Sequence, residues 1–276
     1  MCIRDSINNM CESGYSSDEY ENEYFYRSEM SNFKFSYEVS SLVMKSANGT
    51  IYSGKDKDTD NDVIIKILPR KASNLTWFGD RRIPREVKYH LMASEVDSSS
   101  VKILDFFERK KDFILILEKP ENSIDLLEFI NSYGPVNFSM AKSICIQLAA
   151  SSLAHHQSAG ICHRDLKDEN VLFNPQTGNI KIIDFGCATP YQDSFTTYAG
   201  TDAYAPPEFL QSKSMDTDKM TSYSIGCLLF TILTRSCPFS DKSDFDFEKC
   251  VTLNSNLSSD ERRLLSKLLQ PNPASR

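Results

Sequence analysis

The chain contains 276 residues, of which 40% are hydrophobic, and this is enough apolar material for one large domain or two packed lobes. The composition argues against a disordered or fibrous protein. Its 31 Lys and Arg residues are outnumbered by 38 Asp and Glu residues, which gives a formal net charge of -7. Because such a chain lacks the basic surface that nucleic acid or anionic lipid requires, the charge favours a basic partner.

The chain has eight cysteines, and no two of them are spaced as Cys-x-x-Cys. A zinc site and a redox motif both lack their usual spacing, so reduced thiols in the cytoplasm or nucleus fit best. The longest apolar stretch, residues 225–233, is nine residues long, well short of the roughly 20 that cross a bilayer. The N-terminus also lacks the apolar core of a secretory signal. We predict a monomeric protein of the cytoplasm or nucleus, with no membrane or nucleic-acid partner.

Residues 1–34 are predicted to form an acidic leader. Seven acidic side chains and two basic ones fall within residues 1–32, among Ser, Asn and Tyr. Such a charged and weakly apolar composition is typical of a disordered segment. The leader is either a solvated tail or a regulatory tail whose Ser or Tyr residues are modified.

Residues 35–120 have the pattern of a small β-rich lobe. Short apolar runs predict strands near residues 51–52, 63–68, 103–107 and 113–117, and the polar stretch ERKKD joins the last two as a hairpin connection. One helix is predicted from about residue 84 to residue 93, with Pro84 at a tolerated position in its first turn. We expect the sheet of this lobe to be mostly antiparallel.

Residues 121–276 are predicted to be mostly helical. Ser139 can cap a helix whose apolar residues recur on one face and which ends before Gly160. Further elements are predicted as helices at residues 222–234 and 260–269, and as short strands at residues 171–173 and 180–183 around a Pro/Gly turn.

The strongest chemical signal is the sequence HRDLKDEN at residues 163–170, followed by DFG at residues 184–186. The two motifs in this order resemble the eukaryotic protein kinases. The resemblance implies an α+β, two-lobed kinase fold, with the small antiparallel β lobe at residues 35–120 and the larger helical lobe at residues 121–276. It also implies that ATP and Mg²⁺ bind between the lobes and that the γ-phosphate is transferred to a protein. Because a final helix usually follows in this family, the larger lobe is expected to be truncated at its C-terminal end.

The two motifs contain the catalytic and metal-binding residues that the resemblance implies. Asp165 would accept or orient the proton of the substrate hydroxyl, and Lys167 would lie against the γ-phosphate. Asn170 and Asp184 offer the hard oxygen ligands that suit Mg²⁺. Lys167, together with Thr201, favours Ser or Thr over Tyr as the acceptor residue.

The small lobe contributes a charged pair. Lys66 closes the predicted strand VIIK and matches the lysine that contacts the α- and β-phosphates in protein kinases. Glu86 lies in the predicted helix, where the pairing glutamate belongs. The other nucleotide-binding residues that the resemblance implies are Val43, Gly49, Ile51, Glu118 and Leu172.

Within the protein kinases, the sequence is most similar to the Pim family of serine/threonine kinases. The similarity rests on FERKKDFILILEKPEN at the hinge, RRIPREV around the predicted helix start, HRDLKDENVLF and PPEF. Pro120 has no N–H to donate to adenine, so adenine would form one hinge hydrogen bond, to the carbonyl of Glu118. Pim-like kinases prefer basic substrates, and four acidic residues are candidates for binding substrate Arg or Lys, with a merely solvated surface as the alternative for each: Asp125, Glu128, Asp168 and Glu169.

The glycine-rich loop departs from the pattern of the family. Met44 and Ser46 occupy the positions of its first two glycines, and only Gly49 remains. Glycine lets backbone N–H groups approach phosphate closely, so this loss predicts weaker nucleotide binding. Ile64, where the family has a small residue above adenine, predicts further crowding. The alternative to an active enzyme is therefore a pseudokinase, a non-catalytic interaction module, although the intact catalytic residues favour the enzyme.

Two framework positions also differ from most kinases. Thr221 and Tyr223 stand where Asp and Trp are usual, so the brace behind the catalytic loop is expected to differ. Arg276 matches the arginine that pairs with a glutamate in this family, here Glu208.

Arg164 precedes Asp165 and could pair with a negative charge on the segment that follows DFG. Thr196 and Thr197 are the candidates for phosphorylation there, and unmodified loop hydroxyls are an equal alternative.

Overall fold

A computed structural model describes residues 29–46, 48–212, 214–238 and 256–276. Residues 1–28 of the predicted leader lie outside this range. The described residues form two compact units. The first contains the residues up to Ser94 together with Val101–Pro120, and the second contains Glu95–Ser100 together with the residues from Glu121 to Arg276.

The first unit is built on an antiparallel β-sheet. Five strands pair in the order β1-β2-β3-β7-β6, and β4 and β5 form a separate hairpin. The strands are β1 (Tyr37–Ser46), β2 (Gly49–Asp56), β3 (Asp62–Pro69), β4 (Leu75–Phe78), β5 (Arg81–Pro84), β6 (Ile103–Glu108) and β7 (Asp112–Glu118). Helix α1 (Arg85–Val96) follows β5 directly. The four predicted strands are confirmed as β2, β3, β6 and β7, and the predicted helix is confirmed as α1.

Residues 29–36 are helical and pack on one face of this sheet. Phe33 is 6% exposed, and its ring lies against the edge of Phe107 with 5.5 Å between the ring centroids. It joins a core that includes Val63 and Ile65 from β3 and Ile114 from β7. The prediction of disorder for residues 29–34 is therefore wrong. It rested on the acidic composition of the leader and did not consider that Phe33 could pack into the core.

Glu29 is a buried carboxylic acid in this helical segment. Its Oε2 accepts the backbone N–H of Glu108 at 3.3 Å. Burial raises the pKa of Glu29 from 4.5 to about 7, against the opposing effects of that hydrogen bond and of the Arg81 charge. Because the folded pKa is the higher one, the stabilising contribution of protonated Glu29 is complete below about pH 4.5 and is lost as the pH rises through about 7.

We expect Glu29→Gln, whose side chain is neutral at every pH, to gain stability relative to wild type as the pH rises. The difference in free energy of unfolding should grow by up to about 3 kcal/mol between about pH 5 and 8. Urea unfolding of both proteins at the two pH values measures this difference. A difference that does not change with pH would contradict protonation of Glu29 in the folded chain.

The second unit is mostly helical, as predicted. Helix α5 is buried along most of its length and packs against α3 and α6. The helices are α2 (Leu126–Tyr133), α3 (Phe138–Ala154), α4 (Pro207–Ser212), α5 (Thr217–Thr234) and α6 (Ser259–Leu268). A π-helical turn (His155–Ala159) extends α3, so the helix ends before Gly160 as predicted.

The starts of two helices are fixed by side chains that accept a backbone N–H group. Asn137 caps α3 through an N–H three residues on, at 2.9 Å. The predicted cap at Ser139 is therefore wrong, and Ser139 lies inside the first turn. Asp216 caps α5 in the same way, also at 2.9 Å, so this helix begins at Thr217 rather than at residue 222.

Seven short strands complete the second unit. They form one three-stranded sheet in the order β11-β10-β8 and two pairs, β9 with β12 and β13 with β14. The strands are β8 (Ile124–Asp125), β9 (Ile161–Cys162), β10 (Val171–Phe173), β11 (Ile180–Ile182), β12 (Thr189–Pro190), β13 (Ser194–Phe195) and β14 (Met215–Asp216). The two strands predicted here are confirmed as β10 and β11. None of the described helices is long and apolar enough to cross a membrane.

Candidate active site

A β-hairpin in the second unit brings the two predicted metal ligands to one place. β10 and β11 pair antiparallel, with Val171 opposite Ile182. Asn170 directly precedes β10 and Asp184 follows β11, so both lie at the open end of the hairpin, away from its turn. The backbone N–H of Ile183 donates to the carbonyl of Asn170 at 3.0 Å and closes this end.

Both ligand candidates offer oxygen atoms. Asn170 Nδ2 donates to the carbonyl oxygen and to Oδ2 of Asp165, at 2.8 and 3.1 Å, which leaves the amide oxygen of Asn170 for a cation. Asp184 Oδ1 accepts the N–H of Gly186 at 3.2 Å. Carboxylate and amide oxygens are the hard donors that Mg²⁺ prefers. The described residues contain no group of three or more His, Cys, Asp and Glu side chains that could hold a metal alone, so Mg²⁺ would need further ligands, such as phosphate oxygens.

Asp165 is the centre of a hydrogen-bond network. Its Oδ1 accepts the backbone N–H and the hydroxyl of Thr201, at 2.8 and 2.9 Å. Its Oδ2 lies 4.0 Å from Lys167 Nζ, which also pairs with Glu169 at 2.6 Å. Burial lowers the pKa of Lys167, but the bond to Glu169 and the charges of Asp165 and Asp184 outweigh burial and raise it. Lys167 is therefore a cation at neutral pH, beside the carboxylate of Asp165.

His163 forms hydrogen bonds both to Asp165 and to Ile183, the residue before Asp184. These contacts could not be predicted from the motif alone. Burial, with the nearby charge of His155, lowers the pKa of His163 to about 4, so its ring is neutral at neutral pH. Its Nδ1 accepts the N–H of Asp165 at 3.3 Å, which places the ring hydrogen on Nε2. Nε2 then donates to the carbonyl of Ile183 at 3.1 Å.

Arg164 has a left-handed backbone conformation, with φ of 68°, and contacts the segment that follows DFG. Its Nη2 donates to the carbonyl of Thr197 at 2.5 Å, and its guanidinium carbon lies 4.3 Å from the ring centroid of Phe195. Its Nε is buried and has no hydrogen-bond partner among the described residues. Thr196 and Thr197 are both exposed, and their phosphorylation stays a prediction.

The predicted charged pair is formed in the first unit. Lys66 Nζ lies 2.5 Å from Glu86 Oε1, and the two side chains are only 10% and 12% exposed. β3 holds Lys66, and the first turn of α1 holds Glu86. Ile51 of β2 and Leu115 of β7 lie directly opposite Lys66 and share its face of the sheet. Ile64, two residues earlier in β3, is on the same face.

The turn between β1 and β2 stands where the family has its glycine-rich loop. The two strands stay paired as far as Ser46 and Gly49. Val43 and Met44, near the end of β1, are 58% and 56% exposed. A Cβ atom on Gly49 would lie 2.8 Å from the carbonyl oxygen of Ile67, so packing against β3 requires glycine here. Packing therefore explains the glycine at position 49 independently of the predicted contact with nucleotide.

The last two nucleotide-binding candidates lie in different units. Glu118 ends β7 in the first unit and is tied to Lys102, because its N–H donates to the Lys102 carbonyl and its carboxylate accepts the Lys102 N–H, both at 3.0 Å. Leu172, in β10 of the second unit, is partly buried and lies opposite Asp125 and Lys181.

The acidic residues predicted to meet a basic substrate have different environments. Glu128 and Glu169 are exposed to solvent. Asp125 caps α2 and accepts the N–H of Glu128 at 2.7 Å. Asp168 is 7% exposed and accepts the hydroxyl of Tyr204 at 2.9 Å. Glu128 and Glu169 are therefore the more accessible candidates, and substrate binding by Asp168 stays a prediction.

Thr221 and Arg276 belong to the framework behind the catalytic loop. Thr221 donates its hydroxyl hydrogen within α5 at 2.9 Å. A cavity of about 10 Å³, roughly the size of one water molecule, lies beside it and is also lined by Arg164. Arg276 pairs with Glu208 at 2.5 Å, as predicted, and its guanidinium lies 4.8 Å from the ring centroid of Tyr223.

Comparison with known proteins gives the same family. The family model "Protein kinase domain" matches residues 37–276. The chain is similar to serine/threonine-protein kinase pim-2 of Danio rerio, with 31% identity over 260 residues that cover 89% of this chain and 82% of the relative. It is also similar to a PAS domain-containing serine/threonine-protein kinase of Mus musculus, with 30% identity over 88% of this chain and 18% of the relative. A third relative is serine/threonine-protein kinase prk-2 of Caenorhabditis elegans, with 29% identity over 78% of this chain and 48% of the relative.

The chain thus spans most of the zebrafish relative and less than half of the other two. The resemblance to the protein kinases, and to the Pim family among them, is confirmed by these comparisons. The antiparallel sheet and the helices described above agree with the two-lobed α+β fold. The chain belongs to the protein kinase family.

Proposed function

We propose that this chain is an ATP- and Mg²⁺-dependent serine/threonine kinase that acts on basic protein substrates. One observation carries the proposal: the carboxylate of Asp165 is contacted by Thr201, Asn170 and Lys167, and Asp184 lies at the same hairpin end as Asn170. Phosphoryl transfer requires such an arrangement, because it depends on a positioned hydroxyl and neutralised phosphate oxygens. The names of the similar proteins support Ser or Thr as the acceptor.

ATP bound with Mg²⁺ would supply the phosphoryl group. The amide oxygen of Asn170 and the carboxylate of Asp184 would hold the cation. Lys167, a cation at neutral pH, would neutralise negative charge on the phosphoryl oxygens. Asp165 would orient the substrate hydroxyl and accept its proton, and Thr201 would keep the carboxylate turned for that task through its two hydrogen bonds to Oδ1.

The first unit would provide the remaining contacts to the nucleotide. Lys66 would bind the α- and β-phosphates, and Glu86 would keep its ammonium group in place through their ion pair of 2.5 Å. The residues proposed to contact the rest of the nucleotide are Val43, Gly49, Ile51, the carbonyl of Glu118, and Leu172 from the second unit.

A pseudokinase is the second candidate, and the β1–β2 turn favours it. Met44, Lys45 and Ser46 pair in regular register with β2, so these residues form an ordinary hairpin rather than a glycine-rich loop. Backbone N–H groups in such a ladder are less free to bind phosphate. We favour the enzyme, because the loop contributes to binding, whereas the chemistry depends on Asp165 and Asp184, both of which are present.

The proposal is tested by transfer of labelled phosphate from ATP to Arg-rich peptides that differ only in the acceptor, which is Ser, Thr or Tyr. We expect label on the Ser and Thr peptides and none on the Tyr peptide. Chelation of Mg²⁺ should abolish transfer. Label on Tyr alone would overturn the acceptor class, and ATP binding without any transfer by the folded protein would favour the pseudokinase.

The preference for basic substrates predicts the effect of Glu128→Gln. Glu128 lies in the first turn of α2, and its side chain is exposed to solvent. Loss of its charge should raise KM for an Arg-rich peptide about 3- to 10-fold, with kcat and the KM for ATP unchanged, because one charge-assisted contact is lost. Glu95→Gln, which removes another exposed acidic charge, from α1, is the control. Equal KM values for both variants would contradict substrate binding by Glu128.

A further inference from the structure

A buried polar cluster lies outside the residues assigned above. His155, at the end of α3, is 1% exposed. Its Nε2 lies 3.2 Å from Asp97 Oδ2 and 2.9 Å from Ser100 Oγ. The hydroxyl of Ser100 also donates to Asp97 Oδ2 at 3.2 Å. Two polar side chains of the segment 97–100 are therefore hydrogen-bonded to His155, which lies 55 residues after Ser100, in the interior of the second unit.

Asp97 is the charged member of this cluster. Burial alone would raise the pKa of Asp97, but hydrogen bonds from His155, from the backbone N–H of Ser99 and from Ser151 lower it to about 2. Asp97 is therefore an anion at neutral pH, and its hydrogen bond to His155 is charge-assisted. Such a bond fixes the orientation of the imidazole ring.

The imidazole of His155 contacts Phe185, the middle residue of DFG. The ring centroids are 5.7 Å apart and the planes are inclined by 68°, an edge-to-face contact. Phe185 makes a second contact of the same kind with His163, at 4.8 Å, and is fully buried. Each imidazole is oriented by a hydrogen bond of its own, one to Asp97 and the other to the carbonyl of Ile183.

The backbone of residues 97–100 is bonded to the same region. The N–H of Ile182, in β11, donates to the carbonyl of Ser99 at 2.6 Å, and Ser100 forms an isolated β-bridge with Ile182. The segment is therefore attached both to the strand that leads into DFG and, through His155, to the ring of Phe185.

Asp184 needs this support because its backbone is strained. Its φ is 62°, in the left-handed region that residues with a side chain rarely adopt. A non-glycine residue keeps such a conformation only where the surrounding structure enforces it. Phe185 follows Asp184 directly, so a fixed ring at Phe185 restricts the backbone and carboxylate of Asp184.

We propose that Asp97, Ser100 and His155 are positioning residues that hold the ring of Phe185 and thereby the carboxylate of Asp184. The inference rests on the proposed function, in which Asp184 is a ligand of Mg²⁺. None of the three residues touches substrate or nucleotide in this account. They act through Phe185.

The test compares Asp97→Ala, Asp97→Asn and His155→Gln with wild type. Asp97→Asn keeps an acceptor oxygen for His155 and is the conservative variant. His156→Gln is the matched control, because His156 also bonds an aspartate, Asp218 at 2.9 Å, but its ring contacts Tyr191 rather than Phe185. The rate of hydrogen exchange of the backbone amides at residues 183–188 measures how readily the DFG segment opens, and it does not require an active enzyme. The exchange rate within α5 measures general stability.

We expect amide exchange at residues 183–188 to become about tenfold faster or more in Asp97→Ala and His155→Gln, with exchange in α5 unchanged. Asp97→Asn and His156→Gln should stay near wild type. In Asp97→Ala and His155→Gln, kcat should fall about tenfold in parallel, with an unchanged KM for the peptide. Should Asp97→Ala not fold, Ser100→Ala should show the same local change, about threefold.

Unchanged exchange at residues 183–188 in Asp97→Ala and His155→Gln would overturn the inference. Faster exchange at residues 183–188 and in α5 alike would also overturn it, because the cluster would then serve general stability only. Absence of phosphate transfer in wild type would defeat the proposed function, while the exchange experiment would still decide whether the cluster positions Phe185.

Discussion

Replacing Asp165 with Asn should slow phosphate transfer by about 10²- to 10⁴-fold, the range expected for loss of a general base. The amide oxygen of the variant can still accept the two bonds from Thr201. The bond from Asn170 Nδ2 to Oδ2 is lost, but Asn170 keeps its shorter bond to the backbone carbonyl of residue 165, so the fold and the binding of ATP should change little. The lost element is the negative charge that would accept the proton of the substrate hydroxyl. Steady-state kinetics with an Arg-rich Ser peptide measures kcat, and thermal unfolding checks the fold.

Thr201→Val is the companion variant for this prediction. It removes the hydroxyl bond to Asp165 Oδ1 and keeps the backbone bond, so the carboxylate retains its charge but loses one of its two fixed contacts. We expect a smaller decrease in kcat, about tenfold, typical of lost positioning. A kcat for Asp165→Asn equal to that of Thr201→Val would contradict the role of Asp165 as proton acceptor.

Replacing Lys66 with Met should have two separable effects. The first is a loss of stability of about 3 kcal/mol, because the carboxylate of Glu86 is left in a buried position without its ammonium partner. The second is a loss of about 100-fold or more in kcat/KM for ATP, because the proposed contact with the α- and β-phosphates disappears. Urea unfolding measures the first effect and steady-state kinetics the second.

The double variant Lys66→Met with Glu86→Leu distinguishes the two effects. It removes both buried charges, so most of the lost stability should return. Activity should stay as low as in Lys66→Met, since the ammonium group is still absent. Recovery of activity together with stability would show that the pair is structural only, and would contradict a role of Lys66 in phosphate binding.

The sequence predicted those elements of the fold in which burial produces a regular pattern. β3 and β7 are buried on both faces and read as continuous apolar runs. β1 has no such signal, because every residue after Tyr37 is exposed. β4 and β5 are four residues each around Gly79, whose φ is 58°, and strands of this length carry too few residues for alternation to be recognised.

The candidate site could be predicted where its residues follow one another in a motif. Asp165 and Asn170 belong to one motif, and the short β10–β11 hairpin separates Asn170 from Asp184. The resemblance of these motifs to the protein kinases therefore implied that the three residues lie together. Contacts between distant residues could not be predicted in this way. The bond from Tyr204 that buries the carboxylate of Asp168 depends on how the chain folds back on itself, and local spacing carries no information about it.

The measurement that tests the proposed function most directly is Mg²⁺-dependent transfer of labelled phosphate from ATP to an Arg-rich Ser peptide by wild type and Asp184→Asn, purified side by side. We predict transfer by wild type and none above background by the variant, because Asn in place of Asp184 removes the anionic oxygen ligand of Mg²⁺. Thermal unfolding of both proteins shows whether they are folded to the same extent. Equal transfer by the two folded proteins, or none by folded wild type that binds ATP and Mg²⁺, would contradict an active kinase that uses Asp184.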